Sequence, residues 1–118
     1  MIIKDLNEYE KILVGKSLKA IVSGPYIEND DEFECLMHKT RKEVDEIELN
    51  WPRTNPNDLD ALRTIKLCLL NLLGYPHGEE EALLKFLRCD EAELENLLSK
   101  FEIIVRCIAS REISKNVD

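Results

Sequence analysis

The sequence contains no Gly-x-Ser-x-Gly elbow, no Walker loop, no HExxH pair and no EF-hand loop, and its only histidines are His38 and His77. These absences set aside serine hydrolases of the elbow type, phosphate-loop enzymes, zinc proteases and calcium sensors. The four cysteines, Cys35, Cys68, Cys89 and Cys107, include no CxxC pair. In a reducing cytosol that spacing reads as small buried hydrophobes rather than a disulfide framework. The longest apolar run, Leu67 to Leu70, is far too short to span a bilayer, and Met1 to Asp5 lack the long apolar stretch of a signal peptide. A soluble, cytoplasmic protein is the expectation. Strand patterning is missing as well.

What the chain does have is helix punctuation, repeated at an offset of fifty residues. Gly24-Pro25-Tyr26 falls on Gly74-Tyr75-Pro76, Thr40-x-x-Glu43 on Asp90-x-x-Glu93, and Val44, Ile47 and Trp51 on Leu94, Leu97 and Phe101. This register predicts two similar three-helix halves, about residues 5–52 and 56–111, joined at the turn-rich run Pro52 to Asn57. At 118 residues the chain suits one domain, burying roughly two thirds of its unfolded surface around one core. The expected fold is therefore a single-domain, all-α orthogonal bundle of about six helices.

The helix limits follow from caps and stops. Asn7 caps a first helix that ends near Ser23, because Gly24 and Pro25 cannot continue it. Asn29 or Asp30 opens a short second helix carrying Phe33, Leu36 and Met37. Thr40 and Glu43 form a capping box for the third, whose apolar stripe is Val44, Ile47 and Trp51. From Asp58 a leucine-rich fourth helix is expected at the centre of the fold, stopped by Gly74 and Pro76. Glu79 to Leu87 make the fifth, with three glutamates at its positive end. Asp90 and Glu93 box the sixth, and the polar tail after Arg111 is expected to fray.

Chemistry-bearing spacings are few. Cys35-x-x-His38 would share a helix face, but zinc needs three or four protein ligands and nothing in the sequence places a third. The same pair is a weak nucleophile and base; the plainer reading packs Cys35 inward beside Leu36 and lets His38 end a helix. Trp51 with Pro52, and Tyr75 with Pro76 and His77, read more readily as plugs at the ends of a bundle than as a ligand pocket. Phe33 to Trp51 has the outline of a helix-turn-helix, yet its second helix carries Glu43, Asp45, Glu46 and Glu48 and would repel phosphate. Neither catalysis, a metal, a cofactor nor nucleic-acid binding is expected.

Charge carries the functional signal. The net charge is -8, which disfavours nucleic acid and anionic membranes as partners and favours basic ones. Between Glu28 and Glu48 stand nine acids, Glu28, Asp30, Asp31, Glu32, Glu34, Glu43, Asp45, Glu46 and Glu48, against Lys39, Arg41 and Lys42. A single exposed acid serves solubility; a cluster can steer and specify a cationic partner. The candidate partner-binding residues are Asp30, Asp31, Glu32, Glu34, Asp45, Glu46 and Glu48, with Tyr75, His77 and Glu79 to Glu81 as the other candidate face.

Gly24-Pro25-Tyr26, Asp31-Glu32-Phe33, Arg41-Lys42-Glu43-Val44, Trp51-Pro52 and Asn71-Leu72-Leu73-Gly74-Tyr75-Pro76-His77 resemble the recurrent pattern of a group of small, mostly uncharacterised bacterial proteins. That resemblance spans about residues 12 to 78 and assigns no chemistry. In size, acidity and lack of a catalytic set the chain is similar in type to the immunity proteins of contact-dependent growth inhibition and related polymorphic toxin systems. This likeness implies a cytoplasmic protein that neutralises a toxin domain, with a nuclease as the expected toxin because nucleases are cationic where they bind nucleic acid. The alternative is an adaptor or regulatory module acting on an endogenous partner.

Overall fold

The computed structural model describes residues 6–115, with side chains as far as Arg111. Met1 to Asp5, read above for a signal peptide, lie outside the described residues. Six helices follow in order: α1 (Glu8–Ser23), α2 (Asp30–Met37), α3 (Arg41–Asn50), α4 (Leu59–Gly74), α5 (Glu80–Leu87) and α6 (Glu91–Lys115). They form an all-α bundle. None of the helices among the described residues is long and apolar enough to cross a membrane.

Each helix start has a local chemical cause. The Asn7 side chain accepts from the Glu10 N–H at 2.8 Å while the Glu10 carboxylate accepts from the Asn7 N–H at 3.0 Å. Thr40 with Glu43 and Asp90 with Glu93 repeat this reciprocal pairing at α3 and α6. Asn29 caps α2 through the Glu32 N–H, and Asp58 caps α4 through the Ala61 N–H. Helix α5 begins at Glu80, with Glu79 as an N-cap that makes no side-chain bond. At the other end α6 continues as helix to Lys115, past the point where a polar tail was expected to fray.

The two halves correspond in part, α6 with 25 residues being much longer than α3 with 10. Helices α2 and α5 begin fifty residues apart and each has 8 residues; α1 and α4 each have 16. Both short helices end on a non-glycine residue in the left-handed region, His38 at φ 59° and Arg88 at φ 55°. Equivalent positions Phe33 and Leu83, Met37 and Leu87, Val44 and Leu94 are all buried. The halves also exchange partners: α2 packs on α4, α5 packs on α1, and α1 packs on α4 across the centre. A single apolar cluster consequently draws on all six helices. Within the halves α1 packs on α3 and α4 on α6, so the shared core joins two partly self-packed units.

Trp51 and Phe101 meet near this centre, with ring centroids 6.5 Å apart. Their burial differs from the equal burial implied by the register: Phe101 is fully buried, whereas Trp51 is half-buried. The reason lies in the indole nitrogen. Trp51 caps the end of α3 and turns its Nε1–H onto the Lys11 carbonyl at 2.7 Å, so the ring lies along α1 beside Gly15.

Arg41, the first residue of α3, ties four segments together. Its Nη1 donates to the Val22 carbonyl at 3.0 Å near the end of α1, its Nη2 donates to the Ile27 carbonyl in the connecting turn, and its Nε donates to Asp30 Oδ1 at 2.5 Å. The guanidinium also lies 4.4 Å from the centre of the Phe33 ring. One planar cation thus satisfies a carbonyl that the end of α1 leaves without an intrahelical partner and another in the turn that follows.

Two stability outcomes follow. Truncating Phe101 to Ala should cost roughly 3 to 5 kcal/mol in urea titration, while Trp51→Phe, which keeps the ring and loses the Lys11 bond, should cost about 1 kcal/mol. Comparable small losses at both would contradict the shared core. Arg41→Lys should destabilise by about 2 kcal/mol or more, since an ammonium cannot span the same acceptors, with Arg41→Ala at least as damaging. An Arg41→Lys variant melting with the native protein would remove the guanidinium from that role.

Candidate functional site

The structure distributes the seven candidate acids over distinct places. Asp30 is engaged by Arg41. Glu32 accepts the Tyr75 hydroxyl from the far half, and this bond to a carboxylate holds the Tyr75 phenol above its ordinary pKa. Asp31 and Glu34 are exposed and line a depression of about 300 Å³ with Asp30, Thr40, Arg41 and Lys42. Asp45 and Glu48 lie half-buried along α3. Glu46 faces elsewhere, into a cleft between α3 and the start of α4.

That cleft has a volume of about 380 Å³. Helix α3 contributes Glu43, Glu46, Ile47 and Asn50; the connection contributes Thr54; and the first turn of α4 with its cap contributes Asp58, Asp60 and Ala61. Its basic member is Lys39, whose Nζ lies 2.7 Å from Asp60 Oδ2. The Asp60 bond, acting against burial, holds the Lys39 ammonium above its ordinary pKa. Thr54 is buried, and its enclosed hydroxyl has no hydrogen-bond partner among the described residues.

The Lys39–Asp60 pair is also a wall. On its other side lies a cavity of about 420 Å³ with His38, Arg63 and Lys66 at its edge and Met37, Leu67, Leu70 and Val105 among its apolar lining. The two hollows therefore share one ion pair and carry opposite signs. Sequence reasoning missed this arrangement, because Thr54, Asp58 and Asp60 sit in or beside a loop that looked like punctuation only.

The remaining motifs resolve as structure. Cys35 is exposed, not packed inward beside Leu36. On this short helix Phe33, Leu36 and Met37 share the inward face, and Cys35 stands two positions from both Phe33 and Met37. Cys107 is exposed and Cys89 intermediate, so only Cys68 fits the expectation of a fully buried thiol. Burial pushes that thiol's pKa far up, and it donates to the Ser17 carbonyl at 3.3 Å. His38 ends α2 as expected. Among the described residues no group of three or more His, Cys, Asp or Glu is placed to hold a metal ion.

His77 closes the far end of the bundle. Its Nδ1 accepts from the Glu79 N–H at 3.0 Å, which makes Nε2 the protonated nitrogen donating to the Leu72 carbonyl at 3.0 Å. The ring also meets Tyr26 edge-on with centroids 5.0 Å apart. Burial, with the nearby Glu79 charge, raises the Tyr26 phenol. Tyr75 and His77 thus use their polar atoms within the fold.

Acid stability should report the capping carboxylates. At Glu10 burial opposes ionisation, yet the Lys100 bond and the Asn7 N–H outweigh it and hold the carboxyl below its ordinary value. At Glu43 the Thr40 backbone N–H and then the Thr40 side chain lower it. A depressed folded pKa stabilises above the unfolded value of 4.5 and is lost as pH falls through the folded value. Glu10→Gln and Glu43→Gln should therefore lower Tm at pH 7 and converge with the native protein as pH falls below 4.5 and through the lowered folded values. A Tm gap independent of pH would refute the linkage.

Comparison with protein-family models, with curated proteins and with solved structures finds no match.

Proposed function

We propose that this chain is an immunity protein that binds a cognate toxin domain in the bacterial cytoplasm and neutralises it by covering a basic, nuclease-type active site. The observation that carries the proposal is the set of exposed carboxylates on α2 and α3: Asp31 and Glu34 beside one hollow, Glu46 at the mouth of another. A nuclease groove is cationic where it holds phosphate, so a carboxylate surface is its electrostatic complement and its competitor. No bond is made or broken by the inhibitor. Its task is to arrive quickly, match charge and exclude the substrate, and a rigid helical surface lowers the ordering cost of doing so.

Replacing Asp31, Glu34 and Glu46 together with Lys tests this. Asp30 and Glu43 are left intact, because they hold Arg41 and the α3 cap. Protection of cells expressing the product of the adjacent toxin gene should vanish, and association should slow by about tenfold or more, while helicity and melting stay near native. Native association should also slow with added salt, since screening shortens the field to about 8 Å near physiological ionic strength. A triple variant that protects fully would rule out this surface, and a native protein that forms no complex with the adjacent gene product would rule out the proposal.

A further inference from the structure

We infer that the basic cavity bounded by the end of α2, the middle of α4 and α6 binds a small apolar carboxylic acid, with its carboxylate at Arg63 and Lys66 and its hydrocarbon body along Leu67 and Leu70. The site lies across the Lys39–Asp60 pair from the acidic cleft and does not depend on the immunity role. Arg63, Lys66, Leu67 and Leu70 follow at i, i+3, i+4 and i+7, so they share one face of α4, with the cations toward its start and the leucines toward its end. The cavity therefore has a charged end and an apolar end, about 10 Å apart along the helix axis.

These groups are open to a ligand. Arg63 is exposed, Leu70 keeps 47% of its surface, and Lys66 and Leu67 are half-buried. Among the described residues neither Arg63 nor Lys66 forms an ion pair, and the acid that lines the cavity, Asp60, is held by Lys39. A chain with 24 acidic and 16 basic residues has counter-ions in excess, yet none is placed here. The repeat supplies an internal comparison. Fifty residues earlier, on α1, stand Leu13, Lys16, Ser17 and Ala20; Leu13, Ser17 and Ala20 are buried, and of the four positions only the lysine is kept. The face that the first half seals is open in the second, where it sets an exposed leucine beside two cations.

Both ends define the occupant. Cations in a hollow with apolar walls focus their field on an anion, and a carboxylate can take two parallel bonds from a guanidinium. A bare inorganic anion would leave the leucines wet, and a neutral hydrocarbon would leave the cations unused. A peptide would carry amide groups into the apolar end, where the Thr64 hydroxyl is buried and already donates to the Asp60 carbonyl at 2.9 Å. The volume of about 420 Å³ falls in the range of small-molecule sites. An unbranched acid of about eight carbons spans the distance from Arg63 to Leu70.

The test titrates the full chain, isotopically labelled, with octanoate, octanamide, acetate and N-acetyl-leucyl-leucine. Octanoate should move the resonances of Arg63, Leu67, Leu70 and Val105 to saturation. Octanamide lacks the charge and acetate lacks the hydrocarbon body, so each should bind about tenfold more weakly or worse. Arg63→Gln should weaken octanoate about tenfold and Leu70→Ser severalfold, with melting near native in both because both side chains are exposed. Lys19→Gln, which removes an equal charge from the exposed surface of α1, should leave the affinity unchanged. Equal binding of octanoate and octanamide, shifts that do not saturate or that spread beyond the cavity, or a Lys19→Gln loss as large as that of Arg63→Gln would overturn the assignment. Tighter binding of N-acetyl-leucyl-leucine than of octanoate would overturn the free acid as occupant and give the cavity to the end of a peptide chain.

Discussion

The guanidinium of Arg41 is the contact on which the first half of the molecule depends. Helices of eight and ten residues have little stability of their own, so α2 and α3 must be held by what they touch. Arg41 joins the end of α1, the following turn and the first turn of α2 at one point, and it does so from the start of α3. This fixes where the acidic segment stands. It also takes Asp30 out of the set of carboxylates that can meet a partner.

The second half solves the same problem with different chemistry. Val22 and Leu72 occupy equivalent places near the ends of α1 and α4, and each offers a carbonyl that the helix does not use. Arg41 serves the first; His77, on the turn itself, serves the second. Position 91, which corresponds to Arg41, is Glu and cannot donate. The repeat is therefore kept in core position, in the lengths of α1 with α4 and of α2 with α5, and in the capping boxes of α3 and α6, while α6 far outruns α3 and the polar ties that close each turn are not repeated.

The contrast explains what could be read from sequence. Asn7, Thr40 with Glu43, and Asp90 with Glu93 act over three residues, so their spacing alone determines the helix starts. Gly24 stops α1 by equally local means. Arg41 acts over nineteen residues to Val22, and Trp51 over forty to Lys11, and no periodicity encodes either contact. Cys35 was misplaced because a cysteine's apolar character says less than the phase of Phe33, Leu36 and Met37 around it. Thr54 was silent for a third reason: a hydroxyl in a polar loop looks solvated until packing removes its water.

The charge pattern gains its meaning only from the tertiary arrangement. As a sequence, Glu28 to Glu48 is one acidic stretch; folded, Asp30 and Glu32 enter internal ties, while Asp31, Glu34 and Glu46 line two hollows. Lys39 and Asp60 then separate the acidic cleft from a basic, partly apolar cavity next to it. A uniform acidic face would attract any cation in many registers. Adjacent hollows of opposite sign are different, because a partner that places its cation over the acidic hollow and its anion over the basic one gains at both, and the reversed placement is penalised at both. Under the proposed role, the net charge of -8 would act at long range and this local alternation would act on orientation at contact.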